Sequence, residues 1–234
     1  SGHSLVGALL DAHPQMIVAH ELDALESVRK GVSKRQLFFQ LLARSQWFKR
    51  IGANWGEYSY AVPSQYKGEY MALRVIGDKK GGKSTDRLRR HPDLLEKLWN
   101  TVRVPLHVIH VKRHPLDNIS TMTRKGSGSI NKEIEKYFEK LATVRKVRKK
   151  YANKDRIKWI EIEQEGFVKK EKKYIKKICK FLDVDTTNKY LKECASIVFN
   201  KPKKSRTKVE YSSEQIRKIR SKASKFECIK DYEI

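Results

Sequence analysis

Ser1-Gly2-His3-Ser4-Leu5-Val6-Gly7-Ala8-Leu9-Leu10-Asp11-Ala12-His13-Pro14 opens the chain with small and hydroxylated residues that pass into an apolar run. Such a loop at the start of a helix turns backbone N–H groups and hydroxyls toward the positive helix end, where an anion is stabilised. A second phrase of the same kind is Val108-Ile109-His110-Val111-Lys112-Arg113-His114-Pro115-Leu116-Asp117-Asn118-Ile119-Ser120-Thr121-Met122. It ends an apolar strand with an arginine and enters a helix that carries hydroxyls. One cradle suggests a nucleotide; two suggest a ligand phosphorylated at both ends.

Outward from these phrases, strand-like apolar runs occur at Met16 to Ala19, Met71 to Gly77, Leu106 to Val111 and Ile157 to Ile162, with helical patterns between them. Strand–helix alternation predicts an α/β fold with a mostly parallel sheet, helices covering it, and ligands at the carboxyl ends of the strands. Ile134, Phe138, Leu141, Val144 and Val147 recur at steps of three and four, which predicts an amphipathic helix over Ile130 to Tyr151. Val168, Ile175, Ile178, Cys179 and Leu182 supply the apolar stripe of another and place Cys179 in the core. A helix is expected around Lys34 to Phe48 and loops around Gly52 to Gly68. Gly126-Ser127-Gly128-Ser129 reads as a mobile loop suited to a lid, and Lys201-Pro202-Lys203-Lys204-Ser205-Arg206 as a basic loop able to close over a phosphate.

The chain has 234 residues, enough for one well-buried core, and its 39% hydrophobic and 9% aromatic content excludes a disordered protein. One domain over residues 1–234 is expected. Three cysteines form neither a CxxC pair nor an even framework, which fits a reducing, cytoplasmic compartment and argues against a cysteine zinc site. No stretch approaches the roughly 18 to 20 apolar residues that cross a bilayer. The net charge of +25 attracts polyanions. The lysines are spread along helical stretches without a nucleic-acid motif, so no specific nucleic-acid partner is expected. A lysine-rich solvated surface accounts for most of the charge. Attraction of an anionic donor, and of an acidic acceptor, accounts for the rest.

The phrase Val75-Ile76-Gly77-Asp78-Lys79-Lys80-Gly81-Gly82-Lys83-Ser84-Thr85 has two readings. Gly77 to Ser84 satisfies GxxxxGKS, the loop of ATP- or GTP-dependent phosphotransferases. Against it, the Leu106 to Val111 run ends in Lys112 and Arg113 instead of a metal-positioning aspartate, and His91-Pro92 interrupts the helix that follows.

The other reading comes from a resemblance. Ser-Gly-His-Ser resembles the 5'-phosphosulfate loop of sulfotransferases that use 3'-phosphoadenosine-5'-phosphosulfate (PAPS). Leu10-Asp11-Ala12-His13-Pro14 is similar to the string after that loop in tyrosylprotein sulfotransferases and many bacterial relatives. Gly77-Asp78-Lys79 resembles the family's Gly-Asp-Lys segment, and Arg113 with the hydroxyl eight residues on resembles its 3'-phosphate site. Trp159-Ile160-Glu161-Ile162-Glu163 and Phe181-Leu182-Asp183-Val184 are similar to its late strand and helix. The resemblance implies a P-loop nucleotide-hydrolase-like, three-layer α/β/α fold and in-line sulfuryl transfer from PAPS to a hydroxyl or amine. PAP would be the product, and no metal is needed. It implies that Ser1, Gly2, His3, Ser4 and Leu5 cradle the 5' side and that Lys79 meets the leaving oxygen. Glu21 is the base, with His20 as neighbouring candidate, because a hydroxyl must lose its proton as it attacks. Arg113 with Thr121 or Ser120 holds the 3'-phosphate, and Arg206 makes a second phosphate contact. A small alcohol, a saccharide, a lipid or a peptide tyrosine all fit as acceptor. The family has a strand and a basic residue before the opening loop, so a strand is expected ahead of residue 1. Oligomeric state is not readable.

Overall fold

Two parallel strand pairs form the centre of the fold. The computed structural model describes residues 2–63, 72–126 and 128–234, and Ser1 of the expected cradle lies outside them. In the first pair β1 (Met16–His20) runs beside β4 (Val75–Lys79), with His20 opposite Lys79. In the second β5 (Leu106–Lys112) runs beside β6 (Ile157–Glu163), with Lys112 opposite Glu163. The strand expected from Met71 begins only at Val75, and Met71 is not among the described residues. Among those residues no strand bonds the two pairs together, so β4 and β5 each keep an edge without a strand partner.

Period-two alternation in these strands serves two helical layers. Ile109, Val111, Ile160 and Ile162, with Met16, Val18 and Val75, face one apolar cluster. It includes α1 (His3–Asp11), α9 (Glu171–Phe181) and α10 (Asn188–Ser196). Leu106, Val108, Ile157 and Trp159 face the opposite cluster. That one is built on α2 (Ala24–Arg29), α5 (Leu94–Val102) and α7 (Ile130–Tyr151). A three-layer α/β/α arrangement follows. Ile162 and Ile134 are fully buried, so truncating either to alanine costs about 2–5 kcal/mol.

Local chemistry starts the helices where the apolar periodicity begins. Ser33 and Gln36 form a reciprocal cap on α3 (Lys34–Arg50), and Ser129 caps α7 through Lys132 N–H. The α7 helix has the bounds its periodicity predicts. The helix that follows Gly77 to Ser84 is interrupted at His91-Pro92, as its sequence implies, and divides into α4 (Gly82–Arg90) and α5, because Pro92 cannot donate to the helical ladder. The loop expected at 52–68 contains a hairpin of β2 (Asn54–Trp55) and β3 (Tyr58–Ser59), while 64–71 lie outside the described residues. The remaining helices are α6 (Pro115–Lys125), α8 (Gln164–Lys169) and α11 (Ser213–Ala223), with a 3-10 turn at Ser205–Lys208. Cys179 and Cys194 are fully buried, and burial pushes both thiols up to about 12, so neither supplies a thiolate at neutral pH. No helix among the described residues is long and apolar enough to cross a membrane.

Candidate active site

The carboxyl ends of β1 and β4 bring three of the expected residues together. Lys79 is the last residue of β4, and its ammonium donates to Glu21 Oε1 at 2.6 Å and to Ser4 Oγ at 3.1 Å. His20 Nε2 lies 3.1 Å from the same nitrogen. An ammonium has only donors, so Nε2 accepts and the ring proton sits on Nδ1. Lys79 and His20 are buried, at 7% and 3% exposure. The second Glu21 oxygen pairs with Lys80 at 3.3 Å.

Burial governs the electrostatics. Desolvation, reinforced by Lys79, holds His20 down to about 4, so the ring is neutral at pH 7. Its one basic lone pair is already engaged with Lys79. Burial also lowers Lys79, and the Glu21 carboxylate opposes that shift. Of the two candidate bases, Glu21 is the one whose carboxylate faces two ammoniums, Lys79 and Lys80, whereas the His20 imidazole faces Lys79 alone. Phe48 stacks on His20 at 3.9 Å between centroids, and Trp55 and Tyr60 approach at 4.9 and 6.1 Å.

The opening turn sits over these strand ends. Gly2 caps α1 in a left-handed conformation (φ 77°) without a side-chain acceptor, and the first turn carries no acid. A Cβ at Gly2 would lie 2.7 Å from Gln164 Cγ, so only glycine lets the turn approach α8. His3 lies on Gly81, itself at positive φ, where a Cβ would strike the imidazole. Burial first, and then neighbouring cations, lower His3 to about 3 and leave it neutral. Leu5 is buried in the apolar cluster, so its side chain offers nothing to a ligand.

Arg113 follows β5 and is 8% exposed. Its Nη2 donates to Lys203 O and to Ser205 Oγ at 2.9 Å, its Nη1 reaches Thr121 Oγ1 at 3.4 Å, and its buried Nε has no partner. Ser120 is fully buried and bonds the Tyr211 hydroxyl at 2.7 Å. Thr121 is therefore the hydroxyl on Arg113, and Ser120 ties α6 to the segment before α11. Arg206 is engaged by Asp117, through its N–H at 2.7 Å and its guanidinium at 2.9 Å. The N-terminus of α6 differs from that of α1: His114 Nδ1 accepts Leu116 N–H at 3.2 Å, and buried Asp117 fills the first turn. An anion on this side would rest on Arg113 and Thr121, because the helix end is closed.

Two chains of contacts join these regions on one rim. Gly2 meets Gln164, which follows Glu163, the partner of Lys112, which precedes Arg113. On the other side Lys203 reaches both Arg113 and Tyr58, whose hydroxyl is 2.6 Å from Lys203 Nζ, and Tyr58 packs on Tyr60 beside His20. The hairpin that places Trp55 and Tyr58 here has no period-two run to announce it. By contrast, Gly77 to Ser84 does not form a phosphate-wrapping loop: Gly77, Asp78 and Lys79 are strand, and His3 covers Gly81.

No family model matches the sequence, and no curated protein matches it. Solved structures match the fold, two sulfotransferase domains among them. The sulfotransferase domain from the curacin biosynthetic pathway aligns with a TM-score of 0.52 at 15% identity, over 97% of this chain and 94% of that one. The sulfotransferase domain from the Synechococcus PCC 7002 olefin synthase aligns with a TM-score of 0.54 at 19% identity, over 94% and 84% respectively. At these identities the likeness is one of architecture, and it extends along nearly the whole chain. The chain has the mixed α/β fold of sulfotransferase domains.

Proposed function

We propose that the chain is a sulfotransferase that moves a sulfuryl group from PAPS to a hydroxyl or amine acceptor. The observation that carries this reading is the joint engagement of Lys79 by Glu21, His20 and Ser4 on the rim that also holds Arg113, within a sulfotransferase-domain fold. The residues fit the donor at both ends. Gly2 leaves the α1 N-terminus uncapped for the 5' side, and Arg113 keeps an unpartnered buried Nε for the 3'-phosphate.

PAPS supplies a sulfur whose bond to the bridging phosphate oxygen breaks as the acceptor oxygen bonds to it. Glu21 takes the acceptor proton. Lys79 offsets the charge gathering on the leaving oxygen and trades its Ser4 contact for it; His20 stays neutral and holds the ammonium in line. The aromatic side around Trp55, Tyr58, Tyr60 and Phe199 receives the acceptor body, with Lys203 at its edge. No step calls on a metal.

Thermal-shift and calorimetric titration with PAP and with magnesium-ATP tests the donor, followed by sulfuryl transfer to a panel of alcohols, saccharides, lipids and tyrosyl peptides. Stabilisation by PAP and not by magnesium-ATP is expected. The reverse preference overturns the reading.

A further inference from the structure

The turn that carries Glu21 is strained and held from outside. Glu21 and Asp23 both have positive φ, 64° and 75°, which side-chain-bearing residues adopt only where surrounding bonds impose it. The imposing group is Asp78. Its Oδ1 accepts Leu22 N–H at 3.1 Å, and its Oδ2 accepts the N–H groups of Asp23 and Ala24, both at 2.8 Å. Asp78 and Lys79 are consecutive in β4, so their side chains leave opposite faces of the strand. Lys79 takes the Glu21 carboxylate on one face while Asp78 takes the following three amides on the other, and Glu21 N–H bonds Lys79 O at 2.9 Å between them. Arg87 closes the turn from α4 with two bonds of 2.7 Å to Asp23.

We infer that Asp78 is a positioning residue: by fixing three successive amides of the 22–24 turn it sets the Glu21 carboxylate against Lys79. The kinetic part of this inference rests on the proposed sulfuryl transfer; the mechanical part does not. Asp78 is not a second base, because each of its oxygens is already occupied by backbone donors. Burial raises its pKa and the three amides draw it back, so it acts as an acceptor held for the turn.

The test compares wild type with Asp78→Ala and Asp78→Asn. Amide hydrogen exchange reads the clamp, PAP titration reads the donor site, and steady-state kinetics with whichever acceptor wild type sulfates reads the base. In Asp78→Ala, the amides of Leu22, Asp23 and Ala24 should lose protection. Its kcat should fall about 10- to 100-fold. The PAP Kd and the KM for PAPS should stay within about twofold, because Gly2, Arg113 and Thr121 are untouched. In Asp78→Asn the carboxamide oxygen keeps Asp23 and Ala24, so only Leu22 should lose protection and most of kcat should return. Unchanged exchange at these three amides in Asp78→Ala overturns the inference. So does an Asn variant no better than Ala, or a parallel loss of kcat and PAP affinity. Should Asp78→Ala fail to fold, exchange at Leu22 alone in Asp78→Asn decides. A wild type that transfers no sulfuryl group defeats the proposed function instead, and the exchange data still judge the clamp.

Discussion

Lys79 Nζ lies 2.6 Å from Glu21 Oε1, joining the last residue of β4 to the first residue beyond β1. The pair is nearly buried, at 6% and 17% side-chain exposure, so the proposed proton acceptor and the cation proposed for the leaving oxygen are held against each other by the fold itself. Removing Glu21 leaves the buried Lys79 ammonium without its carboxylate, whereas removing Lys79 leaves Glu21 its Lys80 partner at 3.3 Å.

Glu21→Gln keeps the shape and removes the proposed base. With sulfuryl transfer as the assay, kcat should fall by about 10²- to 10⁴-fold. PAP affinity, measured by calorimetry, should be little changed. Full activity in this variant would return the role of base to another group.

Arg113, Thr121 and Ser120 should separate cleanly. Arg113→Ala should weaken PAP by about 10- to 100-fold, the range for a lost bond to a charged group. Thr121→Ala should weaken it less. Ser120→Ala should leave PAP binding alone and lower stability by about 1 kcal/mol, since its hydroxyl bonds Tyr211 in the interior. Melting curves with and without PAP distinguish the three.

The acid limb of stability should report His20. Its pKa is depressed from 6.5 to about 4 in the folded chain, so the unfolded chain binds the proton more readily. Stability is complete above about pH 6.5 and is lost as pH falls toward 4. His3, depressed to about 3, adds to the same limb. Denaturant unfolding at pH 7, 5.5 and 4.5 should show a shallower decline for His20→Gln than for wild type.

Gly81→Ala should destabilise by about 1–3 kcal/mol, because it combines a positive φ of 58° with a collision against the His3 ring. Moving His3 would also disturb the opening turn, so a fall in PAP affinity should accompany the fall in melting temperature.

Much of this architecture was legible where hydrophobic periodicity is strong. β1, β5 and β6 begin at Met16, Leu106 and Ile157 as their apolar runs predict, and α7 spans Ile130–Tyr151. The hairpin at Asn54–Ser59 was not, since two-residue strands around Gly56-Glu57 are too short for alternation. The spacing of Arg113 pointed to Thr121, which lies against the guanidinium, while the adjacent Ser120 is buried on the Tyr211 hydroxyl. The Asp117 bond to Arg206 and the Asp78 bonds to the 22–24 turn span long separations in sequence, and no local pattern encodes them. One missed signal was local: Ser212 with Gln215 forms the reciprocal cap that starts α11.

The segment around Lys203 touches Arg113 through its carbonyl and Tyr58 through its ammonium. One short stretch thus bridges the proposed donor end and the proposed acceptor end. Were the proposed donor to draw Arg113 away from that carbonyl and shift Lys203 on Tyr58, thermodynamic reciprocity would require the acceptor to alter the donor's affinity by the same factor. Saturation by one partner would then be legible in the dissociation constant of the other.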